Sequence, residues 1–170
     1  TIILFATFLV LFSFSPVMAA ELSSVEYTLS GDSSDIDTLE LEPQFLLSGR
    51  HPATLNLAFD GDDFYFAGDM ELNLLRENNF RMDLHMMLAS EVNNHDFGKA
   101  VGLSAATGNN DFSIFWQTHY FIDEDLDDHA YYKGGIKYGL GPSSDIVFSF
   151  ANQYWDLDND VVKIGINFKM

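Results

Sequence analysis

The segment FYFAGDMELNLLRENNFRMDLHMML, residues 64–88, places apolar side chains at every second position of its two halves. The positions between them are mostly polar or charged: Tyr65, Ala67, Asp69, Glu71 and Asn73, then Arg81, Asp83, His85 and Met87. A period of two residues is typical of a β-strand whose two faces meet different surroundings. The segment therefore predicts two consecutive strands, joined by a turn at residues 77–79.

The same alternation recurs from residue 22 to residue 170. It is clearest in residues 112–122, 132–140, 146–154 and 162–170, and weaker in residues 22–29, 38–47 and 53–59. We expect about ten strands, which is an even number, as up-and-down barrels in membranes usually have. It stays open whether the first two strands, residues 22–29 and 38–47, close the barrel or precede one of eight strands.

The connections between these strands alternate in character. Those at residues 30–37, 60–63, 91–97, 123–129 and 155–160 are acidic, and we expect them to be extended. Those at residues 49–52, 77–79, 107–110 and 141–144 are short and contain Gly or Asn, which supply the positive φ that tight hairpins need. One end of the predicted structure is therefore acidic, and the other consists of tight turns.

The apolar face of the strands decides between a barrel in water and a barrel in lipid. A soluble barrel of the lipocalin type, or a sandwich, turns its apolar face inward and needs a charged exterior. Here the second face is often Gly, Ser, Ala or Asn, and the charges collect in the connections. We therefore predict an all-β fold, an antiparallel up-and-down transmembrane β-barrel. Tyrosines toward the strand ends are expected at the membrane interfaces: Tyr27, Tyr120, Tyr132, Tyr138 and Tyr154.

The N-terminal segment has the features of an export signal. Residues 1–14 are apolar or small, Pro16 follows, and residues 17–20 offer small side chains before the first charge, Glu21. A membrane anchor is the alternative, but a spanning helix needs roughly 20 apolar residues. We expect residues 1–20 to be a signal peptide cleaved after Ala19 or Ala20, and residues 21–170 to form an outer-membrane barrel.

Composition excludes several classes of function. The formal net charge is −18, from 26 acidic and 8 basic residues, so no basic surface is available to neutralise the phosphates of a nucleic acid. The chain contains no cysteine. Disulfides, thiolate metal sites and cysteine nucleophiles are therefore excluded.

Residues 100–168 carry a resemblance to a known family. They contain, in order, the turn TGNN, the strand DFSIFWQTHYF, an acidic loop ending in LDDHAYYKGGIKYGL, the segment DIVFSFANQYWDL and a closing VVKIGINF. This order resembles the YfaZ-like family of small outer-membrane proteins of gram-negative bacteria. The resemblance implies an outer-membrane location and a porin-like role, and it implies no catalytic residues.

The polar face of the strands is expected to line the barrel interior. One interpretation of this charged lumen is a selective passage for a small solute. The other, which we favour, is that side chains fill so narrow an interior and neutralise one another as a plug. The charged residues that we expect in this network have both signs: Glu26, Glu40, Glu42, Asp69, Glu71, Arg81, Asp83, His85, His119, Lys133, Lys137 and Lys163.

Two acidic loops offer weak candidates for a Ca²⁺ site, since hard oxygen ligands suit this ion. The first candidates are Asp123, Asp125 and Asp127, and the second are Asp156, Asp158 and Asp160. The second set begins like an EF-hand loop, but Val161 and Asn167 stand where that loop requires Gly and Glu. We therefore expect solvated loops and no cofactor, with cation bridges to lipopolysaccharide as the alternative.

Catalysis is not expected. His129 follows two aspartates and His95 precedes Asp96, and a His–Asp pair can activate water. However, no nucleophile motif such as G-x-S-x-G accompanies them. His85 and His119 lie on strands, where we expect them to join the interior polar network rather than bind a metal.

Taken together, these features predict a porin-like or structural barrel of the bacterial outer membrane, in contact with lipid and lipopolysaccharide. Its last strand, VVKIGINFKM, keeps Phe168 and Met170 on the lipid face, where the barrel assembly machinery is expected to read it. Two alternatives remain: a surface binding or adhesion module that acts through the acidic loops, and a soluble periplasmic β-barrel carrier.

Overall fold

A computed structural model describes residues 20–31, 36–92, 95–122 and 130–170. Within them, ten strands form one sheet: β1 Ala20–Gly31, β2 Ile36–Leu47, β3 His51–Asp60, β4 Asp63–Glu77, β5 Phe80–Val92, β6 His95–Gly108, β7 Phe112–Phe121, β8 Ala130–Gly141, β9 Ser144–Asn152 and β10 Asp160–Lys169. Each strand pairs antiparallel with the next, and β10 pairs with β1, which closes the barrel. The prediction of a ten-stranded antiparallel up-and-down barrel is confirmed, and the eight-stranded alternative is wrong.

Side chains alternate between the interior and the exterior along each strand, as the period of two requires. In β10, Val161 and Lys163 are buried inside the barrel, whereas Val162 and Ile164 are exposed outside it. At the closing seam, Ser30 of β1 pairs with Lys163 in the register of the two strands. The alternation of side chains that predicted the strands is therefore the alternation between the interior and the exterior of the closed sheet.

The barrel exterior is apolar over its whole circumference. Large hydrophobic side chains project from it on every strand. They include Tyr27, Leu29, Leu39, Phe59, Leu74, Met86, Leu88, Val101, Leu103, Ile114, Trp116, Tyr120, Ile136, Tyr138, Phe148, Phe150, Ile164, Ile166 and Phe168. An apolar surface of this extent is not typical of a soluble monomer.

Both described ends of the chain lie at the end of the barrel formed by the tight turns, since the strand number is even. At the opposite end, which we call the loop end, two predicted extended loops are wrong. Most of residues 91–97 belongs to strands, because β5 continues to Val92 and β6 begins at His95.

Residues 60–63 do not form an extended loop: β3 ends at Asp60, β4 begins at Asp63, and Gly61 takes the positive φ of 57° that so short a turn demands. Gly61 and Asp62 alone connect the two strands, because both strands continue up to the turn.

The segment between β9 and β10, residues 153–159, also differs from the sequence prediction. Tyr154, Trp155 and Leu157 are buried, and Tyr154 is not an interfacial tyrosine. The Trp155 ring stacks on Tyr65 of β4, with 4.9 Å between centroids and 6° between planes. The hydrophobic effect thus favours packing of this acidic loop in the barrel mouth, while Asp156 and Asp158 stay exposed.

The buried loop residues belong to an apolar cluster that fills the loop end of the interior. Its members come from six strands and from residues 153–159, and they carry no charge: Ala58, Ala67, Met87, Ala89, Val92, Ala100, Phe121, Tyr131, Tyr154, Trp155 and Leu157. Burial raises the pKa of the Tyr154 phenol, so this ring stays neutral. We call these residues the apolar cap.

The predicted signal peptide, residues 1–20, lies outside the described residues except for Ala20. Its export function and its cleavage site stay predictions. No helix in the described part of the chain is long and apolar enough to cross a bilayer.

Candidate functional site in the barrel interior

The charged residues that the sequence placed on the polar face all lie inside the barrel, and the structure brings them together in three ion-pair groups and one histidine row. All twelve take part in a hydrogen bond or ion pair there. Because β10 pairs with β1 and closes a narrow barrel, residues more than 100 positions apart in sequence meet in its interior.

The first group is the most deeply buried. Lys163 of β10 donates to both carboxylate oxygens of Glu40 on β2, at 2.6 and 2.9 Å, and the two side chains are 1% and 0% exposed. Ser30, on the strand between them, donates to Glu40 Oε1 at 3.0 Å, and Asn56 donates to Oε2 at 3.4 Å. Every described polar contact of Glu40 thus holds the carboxylate in its charged form.

The second group joins β8 to β1 and β2. Lys133 Nζ lies 2.9 and 3.1 Å from the Glu42 oxygens and 3.5 Å from Glu26 Oε1. Lys137 donates to Glu26 Oε2 at 3.1 Å and also lies 5.4 Å from the centre of the Phe115 ring. Two lysines therefore balance two glutamates, of which Glu26 is buried and Glu42 is partly buried.

The third group lies between β4 and β5. The Arg81 guanidinium bonds to the carboxylates of Glu71 and Asp83. Gln44 donates to Glu71 at 3.5 Å, and Asn73 donates to Asp83 at 3.0 Å. One arginine with five N–H donors can serve two carboxylates in this way.

A row of two histidines crosses three neighbouring strands. In the register of the sheet, His85 of β5 pairs with Gly102 of β6, and Gly102 pairs with His119 of β7. Because Gly102 has no side chain, the two rings meet above it, 5.1 Å apart and edge to face. Asp69 Oδ2 lies 2.6 Å from His85 Nδ1 and 3.4 Å from His119 Nε2.

Ser104, two residues along β6 from Gly102, extends this row toward the tight-turn end. Its Oγ lies 2.7 Å from His85 Nε2, so Ser104, His85 and Asp69 form a hydrogen-bonded chain. The order of groups is that of a serine hydrolase triad. However, β6 is paired on both sides at Ser104, with Asp83 and Gln117, so the neighbouring amides have partners in the sheet and do not form an oxyanion hole.

A cavity of about 310 Å³ lies between these groups. Toward the tight-turn end it is bounded by Arg81, Lys137 and Ser113, and the side chains of Arg81 and Lys137 are 33% and 34% exposed. Its inner wall includes Ala67, Met87 and Tyr131, which also belong to the apolar cap. The cavity is therefore reachable from the tight-turn end and is closed at the loop end.

Several neutral residues of the site were not singled out from the sequence. Gln44, Asn56, Ser104 and Gln117 all line the cavity and bond to the charged groups. The alternation placed Gln44, Asn56 and Gln117 on the inner face, whereas Ser104 lies on β6, which was not among the segments with a described alternation. The partners of all four depend on the register across strands. Asp145 was missed as well, and it binds Lys169 at 2.7 Å near the tight-turn end.

The loop aspartates proposed as Ca²⁺ ligands are placed only in part. Asp123, Asp125 and Asp127 lie outside the described residues. Asp156, Asp158 and Asp160 are exposed, and Asp160 accepts a hydrogen bond from Tyr132. Among the described residues, the group of three metal-capable side chains is a different one, Asp69, His85 and His119.

Comparisons with known proteins add little to the geometry. No protein-family model matches the chain, and no curated protein matches it. Among solved structures, the chain is similar to one described as "De novo design of transmembrane beta-barrels". The identity is 10% and the TM-score is 0.39, over 88% of this chain and 98% of that chain. The resemblance to the YfaZ-like family stays a prediction.

Proposed function

We propose that this protein is a structural β-barrel of the bacterial outer membrane whose lumen is plugged at rest. The observation that carries the proposal is the inversion of polarity across the sheet. Apolar side chains cover the outside, whereas ion pairs such as Lys163–Glu40 and Lys133–Glu42 fill the inside. This is the arrangement expected of a closed sheet that has lipid on one face only.

The interior supports a plug rather than an open pore. Each buried cation lies against one or two carboxylates, and the apolar cap closes the loop end. A passage for ions would need an unbroken column of water, and the cavity of about 310 Å³ stops at Ala67, Met87 and Tyr131. The porin-like alternative therefore requires residues 153–159 to leave the barrel mouth.

The soluble periplasmic carrier is the less favoured alternative. A carrier would need a polar exterior, and side chains such as Trp116, Phe150 and Ile166 are each exposed by more than two fifths. Its cavity would also be apolar, whereas this one is lined by charged groups.

Two experiments test the proposal. The protein should fractionate with the outer membrane and migrate differently on gels before and after heating, as closed barrels do; recovery in a periplasmic extract would contradict the membrane assignment. In planar bilayers the inserted barrel should carry no ion current. A steady current from the unaltered chain would contradict the plug and favour the porin-like role.

A further inference from the structure

We propose that Asp69, His85 and His119 form a binding site for one divalent transition-metal ion of the zinc class. One ligand atom from each of the three side chains lies within 4.8 Å of the other two. The inference does not depend on whether the barrel conducts, because it concerns a fixed position in the wall of the lumen.

The strongest indication is a set of buried polar atoms without partners. His119 has 0% side-chain exposure, and its carboxylate neighbour among the described residues is Asp69 Oδ2, 3.4 Å from Nε2, in a contact too poorly aligned to be a hydrogen bond. Asp69 Oδ1 is likewise buried without a hydrogen-bond partner. Buried polar atoms are normally satisfied. A neutral imidazole has one lone pair, on one of its two ring nitrogens, so His119 and Asp69 Oδ1 each hold an unused lone pair that a bound cation would accept.

The chemistry of the donors selects the kind of cation. Two imidazole nitrogens and one carboxylate oxygen suit Zn²⁺ and its neighbours among the first-row metals, whereas Ca²⁺ and Mg²⁺ prefer oxygen alone. Three protein ligands leave one tetrahedral position open. The hydrogen bond of 2.6 Å between His85 and Asp69 must open when the ion binds, because two ligands of one zinc ion lie roughly 3.3 Å apart.

Neighbouring residues already orient two of the three ligands. Ser104 Oγ accepts a hydrogen from His85 Nε2 at 2.7 Å in the tautomer that leaves Nδ1 free to bind a metal. Gln117 Nε2 lies 3.5 Å from Asp69 Oδ2. The absence of a side chain at Gly102 gives His119 its place beside His85, since a Cβ there would lie 2.7 Å from the His119 ring.

An ion can reach the site from the cavity. Asp69, His85 and Ser104 line the cavity wall, and His119 lies behind them against Tyr131. The cavity is reachable from the tight-turn end, past Arg81 and Lys137. An incoming cation would thus meet Asp69 and His85 first and His119 last.

The test is a titration of the full chain, folded in detergent and freed of metal with EDTA, with ZnCl₂ in a calorimeter. We expect one Zn²⁺ per chain. His119→Gln should weaken binding at least tenfold, and Ser104→Ala by roughly 10–100-fold, because Ser104 orients a ligand. His51→Gln is the matched control: His51 is exposed at the start of β3, and its loss should leave the affinity unchanged.

A spectroscopic measurement keeps the test independent of folding defects. With Cu²⁺ as the probe, nitrogen couplings from two imidazoles should be seen in the unaltered chain and from one in His119→Gln. The proposal is overturned if no stoichiometric zinc binding occurs, if His119→Gln binds normally, or if excess Ca²⁺ displaces the zinc. The last result would assign the ion to the acidic loops instead.

Discussion

Lys163 and Glu40 form a buried ion pair of 2.6 Å across strand β1, so that one contact ties both neighbours of the first strand together at the seam of the barrel. Because both side chains are almost fully buried, neither charge can be left without the other. We expect Lys163→Met to lower the free energy of unfolding by about 3–5 kcal/mol, since it strands the Glu40 carboxylate.

The double variant Lys163→Met with Glu40→Gln is the control for this pair. The amide keeps partners in Ser30 and Asn56, so most of the lost stability should return. Urea unfolding of the barrel, followed by tryptophan fluorescence, measures the double variant and each single variant, Lys163→Met and Glu40→Gln. Losses that simply add would mean that the two side chains do not act as a pair.

If the apolar exterior faces lipid, the stability cost of an arginine on it should depend on the depth of that position in the bilayer. Ile164 lies at the middle of β10, and Phe168 lies near its tight-turn end. Arginine at position 164 should destabilise the barrel in vesicles by roughly 2–4 kcal/mol, and arginine at position 168 by about 0–1 kcal/mol. Folding equilibria in lipid vesicles give both values. Similar small effects at the two positions would indicate an exterior that faces water.

The packing of the apolar cap predicts that Trp155, although it lies in a loop rich in aspartate, stabilises the barrel. Trp155→Ala removes the stacking on Tyr65 and leaves a cavity, which should cost about 3–5 kcal/mol of stability. Asp156→Ala, at the next and exposed position, should change stability by less than about 0.5 kcal/mol. Equal effects of the two changes would show that the loop does not pack into the barrel mouth.

The space around Gly102 and Gly134 predicts that alanine has different effects on stability at these two positions of the sheet. A Cβ at Gly102 would lie 2.3 Å from the Thr118 carbonyl oxygen, so Gly102→Ala should destabilise the barrel by about 1–3 kcal/mol. At Gly134 the nearest atom would be 3.6 Å away, and alanine should be tolerated. Thermal unfolding in detergent compares them, and a neutral Gly102→Ala would contradict the packing described for the histidine row.

Much of the fold could be predicted because a period of two residues determines which side chains share a face. This placed Lys163 inside and Ile164 outside without any knowledge of the partners. The pairing of Lys163 with Glu40 could not be predicted, because it depends on the closure of β10 against β1. The inward turn of Trp155 was missed for a different reason: its aspartate neighbours made the segment read as solvated, whereas two aromatic rings and Leu157 outweigh them.

The interior site was predicted in kind but not in detail. Sequence alternation put Asp69, His85 and His119 on the inner face, yet it could not indicate that Gly102 separates the two histidines in one row of the barrel. That row is a property of the register across three strands. The position of His85 and His119 on either side of Gly102 can be predicted only when the hairpin turns, which set the register of the three strands, are known.

The central claim, an exterior in lipid around a plugged interior, is tested most directly at two consecutive residues of β9. The chain has no cysteine, so Phe148→Cys outside and Ser149→Cys inside can each be probed alone, with Asp156→Cys as an exposed control. The measurement is the rate of reaction with a charged, water-soluble thiol reagent after insertion into vesicles. We predict that only Asp156→Cys reacts before unfolding. Rapid reaction of Phe148→Cys would contradict the lipid-facing exterior, and rapid reaction of Ser149→Cys would contradict the plug.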